Sequence, residues 1–352
     1  MLKLVPTCVL SLLFSCLIAQ SPLLHHPALS PDGQQLAFSH QGDIWVVAAT
    51  GGQARRLTIH ESYESTPTWS PDGKKIAFVG NRYGNNDIFV TDPSGNLPQR
   101  LTYHSAADNE PSWLNNEEIL FTTRRTYAAV ERIPEMYKVK LSGGTPVRYQ
   151  ASLGGAPNAN DRYLAYTRGG CRVSREAYRG PANRDVWVYD NQSGTYQQIT
   201  TDEGQDHAPK WAAGQLYYLS ARDGRYNLYR QAVDGQPEKL TKFKTWGIRH
   251  YDLSADGNAI VIERGDRLEL STNGGKNFKP VAVQVGNDFK FYPTEERQVT
   301  GNLNDFALSP NEKYLAVVSR GEVFLKPNDK EKSRAVNLSG HPYRDGDVAW
   351  LN

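Results

Sequence analysis

Short apolar runs of four to six residues alternate with polar turns along almost the whole chain. The clearest instance runs from Pro67 to Thr102. It reads Pro67-Thr68-Trp69-Ser70-Pro71-Asp72-Gly73, then Lys74-Lys75-Ile76-Ala77-Phe78-Val79. A polar loop from Gly80 to Asn86 leads to Asp87-Ile88-Phe89-Val90-Thr91-Asp92, then to Pro93-Ser94-Gly95 and Gln99-Arg100-Leu101-Thr102. The runs are β-branched and aromatic, as strands prefer. Ser-Pro-Asp-Gly fits a type I turn, with φ preset by Pro, a backbone bond from Asp and a closing Gly. The stretch predicts four short antiparallel strands in one sheet, apolar on both faces. Such a sheet does not stand alone in water and has to stack on copies of itself.

The copies are present. First strands recur at Pro27-Ala28-Leu29-Ser30, Pro111-Ser112-Trp113-Leu114, Pro157-Asn158-Ala159-Asn160, Pro209-Lys210-Trp211-Ala212 and Tyr251-Asp252-Leu253-Ser254. Third strands recur at Asp43-Ile44-Trp45-Val46, Asp185-Val186-Trp187-Val188 and Asn227-Leu228-Tyr229. Fourth strands end in Leu57-Thr58, Leu101-Thr102, Ile199-Thr200 and Leu240-Thr241. The spacing of roughly forty to fifty residues is that of four-stranded propeller blades. The predicted fold is all-β: a six-bladed β-propeller over residues 21–285, a connector over 286–301, and one further blade opening a second, truncated propeller over 302–352. The seventh copy is Phe306-Ala307-Leu308-Ser309-Pro310, Tyr314-Leu315-Ala316-Val317-Val318, Val323-Phe324-Leu325 and Val336-Asn337-Leu338-Ser339. Ala349-Trp350 reads as the start of an eighth first strand, cut short. Blade one is expected to close on blade six by packing, without a swapped strand.

Residues 1–20 read differently. Lys3 precedes an apolar run from Leu4 to Ile18, the pattern of a secretory signal and too short for a membrane span. Leu13-Phe14-Ser15-Cys16 resembles a lipoprotein processing site, with Phe14 out of place, so export to a periplasm or medium without a lipid anchor is the expectation. No other stretch is apolar enough to span a bilayer. A net charge of +2 with 22% charged residues speaks against a nucleic-acid partner. Two of the three cysteines lie in the signal; Cys171 is left alone and forms no disulfide within the mature chain.

Two loops between second and third strands are enlarged. That of blade three, Thr122 to Pro134, carries Arg124, Arg125 and Arg132. That of blade four carries Arg168, Arg172, Arg175, Arg179 and Arg184, with Tyr178 among them. Both leave their blades on the same side, so the arginines are expected to converge on one sector. Arginine grips carboxylates at two points, and peptides end in a carboxylate. This sector is the candidate for peptide contact, with solvated or internally paired arginines as the bland reading.

The chain holds no Gly-x-Ser-x-Gly elbow, no second His to complete a zincin helix after His60-Glu61, and no calcium loop, so no cofactor or metal is expected. His25-His26 reads as a polar loop, and Ser271 to Phe278, which imitates a sialidase Asp-box, as a blade hairpin. Trp45, Trp69, Trp113, Trp187 and Trp211 read as packing between blades, Asp32 and Asp72 as turn residues. Hydrolysis by this chain alone is not expected.

The repeats resemble those of the TolB and tricorn protease families. Tyr178-Arg179-Gly180 ahead of Asp185-Val186-Trp187-Val188 resembles a tricorn Tyr-Arg-Gly-Gly segment, and Val318 to Phe324 resembles the start of the second propeller there. The resemblance implies a non-catalytic propeller of an exported serine peptidase, serving as peptide or product channel or interaction module. It implies later protease domains, absent here, as partners, and a homo-oligomer for the full-length form. A stand-alone TolB-like protein-binding propeller is the alternative, although TolB proteins carry an α/β domain first. A dipeptidyl-peptidase propeller would require a hydrolase domain. The arginine pair that holds a peptide carboxylate in tricorn relatives has no counterpart in the loop from Tyr103 to Glu110, which lacks arginine.

Overall fold

The structure is a computed structural model and describes residues 23–126, 133–286, 303–329, 333–341 and 343–351. The apolar run from Leu4 to Ile18, nearly all of the expected connector and Arg132 lie outside the described residues. The chain is all-β and forms seven sheets of four or five strands, an arrangement consistent with a β-propeller. It divides into two units, one ending at Gly286 and one beginning at Asn287.

Six sheets make up the first unit. Their inner strands are His25–Leu29, Glu64–Trp69, Asp108–Trp113, Gly155–Ala159, Asp206–Ala212 and Ile248–Leu253. Each pairs antiparallel with the next strand in sequence, and so on outward. Both faces of every sheet are apolar, and six clusters cover them. Ala28, Val46 and Leu57 of sheet one meet Trp69, Phe78 and Phe89 of sheet two. Ala77 and Leu101 of sheet two meet Trp113 and Phe121 of sheet three. Equivalent clusters join three to four, four to five and five to six. The sixth joins six back to one, through Val261 and Leu268 against Leu29, Leu36 and Phe38. The tryptophans stand between sheets, as their periodicity predicts: the indole of Trp69 donates to Ala28 O and that of Trp113 to Thr68 O, each at 3.0 Å.

The recurring turn and strand-end residues have defined tasks. In Ser30-Pro31-Asp32-Gly33 the Ser30 hydroxyl donates to Asp32 at 2.5 Å and accepts from Gln35 N at 2.9 Å, while Gly33 closes the turn at φ 70°. Ser70 and Ser254 repeat the arrangement with Asp72 and Asp256. In each Leu-Thr or Ile-Thr ending, the threonine hydroxyl accepts the backbone N–H of Ile44, Ile88, Val186 or Leu228 at 2.9–3.0 Å. That N–H opens a third strand and would otherwise be buried unpaired, which is why threonine recurs there.

Closure differs from the expectation in one respect. The segment His25–Leu29 is the inner strand of sheet one, but the chain leaving sheet six adds a fifth strand to it. Val283–Val285 pairs in parallel with Gly52–Arg56, and Gly52 N donates to Ala282 O at 2.8 Å. Val281, Val283 and Val285 alternate onto the cluster between sheets six and one. Counting four strands per repeat hid this latch. His25 and His26 are also not in a loop: they open the inner strand at this same seam. His25 Nδ1 lies 2.8 Å from Glu263 Oε1, His26 Nδ1 lies 2.9 Å from Ser39 Oγ, and the His26 and His250 rings are 4.5 Å apart.

The seventh sheet comprises Leu303–Leu308, Tyr314–Ser319, Glu322–Pro327 and Val336–Asn337. Within this unit Trp350 donates to Ala307 O at 3.0 Å and Val348 N to Asp305 at 2.9 Å. These repeat the bonds that Trp69 makes to Ala28 O and Leu29 N makes to Asp252 in the first unit.

Two outcomes are expected. A Cβ on Gly51 would meet Ala282 O at 2.5 Å, and Gly51 sits at φ 98°. Gly51→Ala should therefore release the latch: amide exchange at Val283 to Val285 rises about tenfold or more while Leu36 to Phe38 stay protected. The seam also makes stability fall in acid. Burial first, then the neighbouring His250, lowers the His26 pKa to about 4 from an ordinary 6.5, against the raising influence of Glu263; His25 and Arg249 lower it further. Lys210 adds to the charges facing His250. The unfolded chain takes up this proton first, so the associated stability is complete above pH 6.5 and lost as the pH falls through about 4. His26→Asn, which also suits the left-handed backbone at φ 51°, should flatten the fall in melting temperature between pH 6.5 and 4.

Candidate functional site

The loop of sheet four over 169–184 is a strap folded onto sheet five. Its neck is pinched: Cys171 N donates to Ala182 O at 2.9 Å, and Arg184 Nε to Cys171 O at 2.5 Å. Gly169 permits this, because a Cβ there would lie 2.1 Å from Asn183 O. Two turns follow, Arg175 N donating to Arg172 O and Tyr178 N to Arg175 O, each at 3.0 Å.

Sheet five then holds the strap down. The buried Gln205 amide donates to Arg175 O at 2.5 Å and to Arg172 O at 3.3 Å. The Tyr226 hydroxyl donates to Val173 O at 2.9 Å, and Glu176 pairs with Arg225 at 3.0 Å. The Arg179 guanidinium donates to Tyr178 O and, across to sheet five, to Ala221 O, both at 2.9 Å. A loop with this many fixed carbonyls presents its side chains from a rigid base.

The candidate arginines thus separate into groups. Arg172, Arg175 and Arg179 are exposed on the strap, and the Arg175 guanidinium lies 4.8 Å from the Tyr178 ring. Arg168 is exposed at the end of its strand with its guanidinium 4.9 Å from the Trp187 ring. Arg184 is half-buried in the strap's neck. Arg124 is exposed beside sheet three. The strap's bonds run to sheet five, and Arg172, Arg175, Arg179 and Arg184 share the strap, while Arg124 and Arg125 belong to sheet three.

Arg125 has a different task. It pairs with the fully buried Asp108 at 2.6 Å and packs 5.2 Å from the Phe121 ring. The same pair occurs in sheet two, where Arg82 meets Glu64 at 2.6 Å. In both, an acid opens the inner strand and the arginine follows the second strand by two residues. Arg222 is the counterpart in sheet five, but it turns to Asp202 at 2.9 Å and leaves Asp206 at 3.8 Å. Gln205, Arg222, Arg225, Tyr226 and Glu176 belong to this site without being marked by any motif in the sequence. The repeating spacing from acid to arginine was available as a signal for Arg222.

A family model described as the tricorn protease N-terminal beta propeller domain matches residues 21–277. The tricorn protease homolog of Saccharolobus solfataricus is 23% identical over 331 residues, covering 91% of this chain and 31% of that protein. The tricorn protease of Thermoplasma volcanium is 22% identical over 336 residues, covering 90% and 31%. A crystal structure of the tricorn protease shares the fold at a TM-score of 0.66 and 19% identity, covering 92% of this chain and 32% of that one. The chain therefore spans about a third of the length of these relatives.

The arginines should differ in what their removal does to stability. Arg125→Ala leaves Asp108 buried and unpaired, a loss of about 3–5 kcal/mol. Arg124→Ala should fall within about 0.5 kcal/mol of the parent. Denaturant unfolding of the two variants measures the gap; equal stabilities would remove Arg125 from the framework.

Proposed function

The chain belongs to the tricorn protease N-terminal β-propeller family, and on that premise we propose that it is the non-catalytic propeller portion of an exported tricorn-like serine peptidase. In this reading the first six sheets are the blades of one propeller and the seventh opens a second. The pairing of Trp350 with Ala307 supports the second part, since it repeats a contact made between consecutive sheets of the first unit. The apolar run from Leu4 to Ile18 supports export.

The propeller handles peptides or products on their way to or from a protease chamber formed by other parts of the relatives' length, and it works within a larger homo-oligomer. The observation that carries this reading is the strap, with three exposed arginines and Tyr178 on a base fixed by sheet five. Rigidly held guanidinium groups are suited to two-point capture of a peptide carboxylate. Arg172 and Arg175 are the contact residues in this proposal. Arg179 is first a fastener, because its guanidinium already serves backbone carbonyls.

The test is binding of one peptide as free acid and as C-terminal amide. The parent protein should prefer the acid by about fivefold or more. Arg172→Glu and Arg175→Glu together should abolish that preference. No preference in the parent, or the same preference in the double variant, would refute carboxylate contact at the strap.

A further inference from the structure

Beside the strap lies a cleft of about 540 Å³, whose wall is formed by Pro181, Asn183, Asp185, Gln198, Asp202 and Glu203, with Arg179 also at its edge. Its chemistry is the reverse of the strap's outer surface. Three carboxylates line it. Of the nearby cations, Arg179 is engaged by carbonyls, Arg184 donates to Cys171 O, and Arg222 is divided between Asp202 at 2.9 Å, the Ser220 hydroxyl at 2.8 Å and Asp206 at 3.8 Å.

A second observation concerns groups buried at the same place. Asp206, next to the cleft, is fully buried, and its arginine, Arg222, comes no nearer than 3.8 Å. It stands beside Asp202, whose charge, after burial, is the largest influence holding its pKa above the ordinary carboxylate range. The corresponding acids Glu64 and Asp108 each have an arginine at 2.6 Å. Asn183, on the cleft wall, gives its amide nitrogen to Gly204 O at 2.5 Å and leaves its Oδ1 buried without a partner. Burial first, then Asp202, raises the pKa of Asp185. Buried acceptors without donors call for a bound donor or cation.

We infer that this cleft takes an ammonium group carried by a peptide. An ammonium offers three donors and no acceptor, which complements Asn183 Oδ1 and the carboxylates of Asp185 and Asp202. A cleft of this size holds a residue or two of peptide around that group, where a metal site would need ligands closing on one point. Among the described residues no group of three His, Cys, Asp or Glu side chains is placed to hold a metal ion. The inference rests on the reading of the strap as a peptide-contact surface and deepens it: the strap meets one charge of the peptide and the cleft meets the other.

The test uses a lysine-free peptide in four forms, with its amino end free or acetylated and its carboxyl end free or amidated. A fifth, acetylated peptide carries one lysine. Acetylation should weaken binding to the parent about tenfold. In Asp185→Asn and in Glu203→Gln, the latter at an exposed position, it should make little difference. Recovery of affinity by the lysine peptide would assign the ammonium to a side chain, and its absence to the amino terminus; either supports the site. If acetylation has no effect, or an undiminished effect in both variants, the inference fails. Carboxylate preference at the strap that persists without any amine preference would overturn the cleft and leave the strap reading standing. If no form binds, both fall.

Discussion

Each sheet in the first unit is apolar on both faces, and that double exposure governs everything else in it. A sheet with one wet face ends its neighbours' problem; a sheet with none passes it on to the next. Ala28, Val46 and Leu57 need Trp69 and Phe78, whose own sheet needs Trp113 and Phe121 in turn. The chain of needs ends where Val261 and Leu268 meet Leu29 and Phe38. Closing it brings together residues far apart in sequence, so the seam bears the entropy of ring closure. That is where the added strand Val283–Val285 and the histidine and glutamate contacts sit. The most elaborate joint is therefore at the one interface whose two sheets are not consecutive in the chain.

The parts of the fold that were legible in the sequence are those decided within one repeat. Ser-Pro-Asp-Gly announces its turn because all its bonds are local, from Ser30 to Asp32 and Gln35. The Leu-Thr ending announces a strand end because Thr58 reaches only as far as Ile44. What the sequence concealed lies in contacts beyond a single turn. Arg125 looked like a free cation because its partner, Asp108, opens the neighbouring strand of the same sheet. Arg179 looked like a ligand-binding group because nothing local shows that Ala221 O waits for it. Aligning acid and arginine across the repeats would have exposed the first case; the second depends on how a loop leans, which composition does not encode. Val281, Val283 and Val285 carried a strand's alternation in plain view, but the repeat count left no place for a fifth strand.

The strap shows how a repeat fold gains a distinct surface. Sheets two and three use their acid and arginine for the same internal pair, at 2.6 Å in each. In sheet five the arginine is shared with Asp202, from the connection leading into the sheet, and the pair is opened. The same sheet supplies Gln205, Tyr226 and Arg225 to fasten the strap. A departure from the repeat and an insertion thus occupy one place: Asp206 N donates to Arg184 O at the strap's neck at 2.8 Å, and the altered sheet gives the strap its anchors.

Backbone strain follows the same division between local rule and neighbour. His26, Thr66, Glu110, Ala156 and Ala208 lie near the start of five inner strands with φ between 48° and 55°, and the strand register slips at each. A left-handed residue other than glycine costs about 1–2 kcal/mol, and five in equivalent places are no accident of one loop. A bulge re-aims the backbone beside it. Here it lets the amide leave its own sheet: His26 N donates to Glu263 at 3.0 Å, Ala156 N to Glu110 at 2.7 Å and Ala208 N to Thr167 at 3.3 Å, each on the preceding sheet around the ring. At these three positions the strain is offset at the contact between neighbours, and an isolated repeat would have the strain without the bond. The inner strands are thus shaped for a neighbour, and a single sheet would carry strain that only the next sheet offsets.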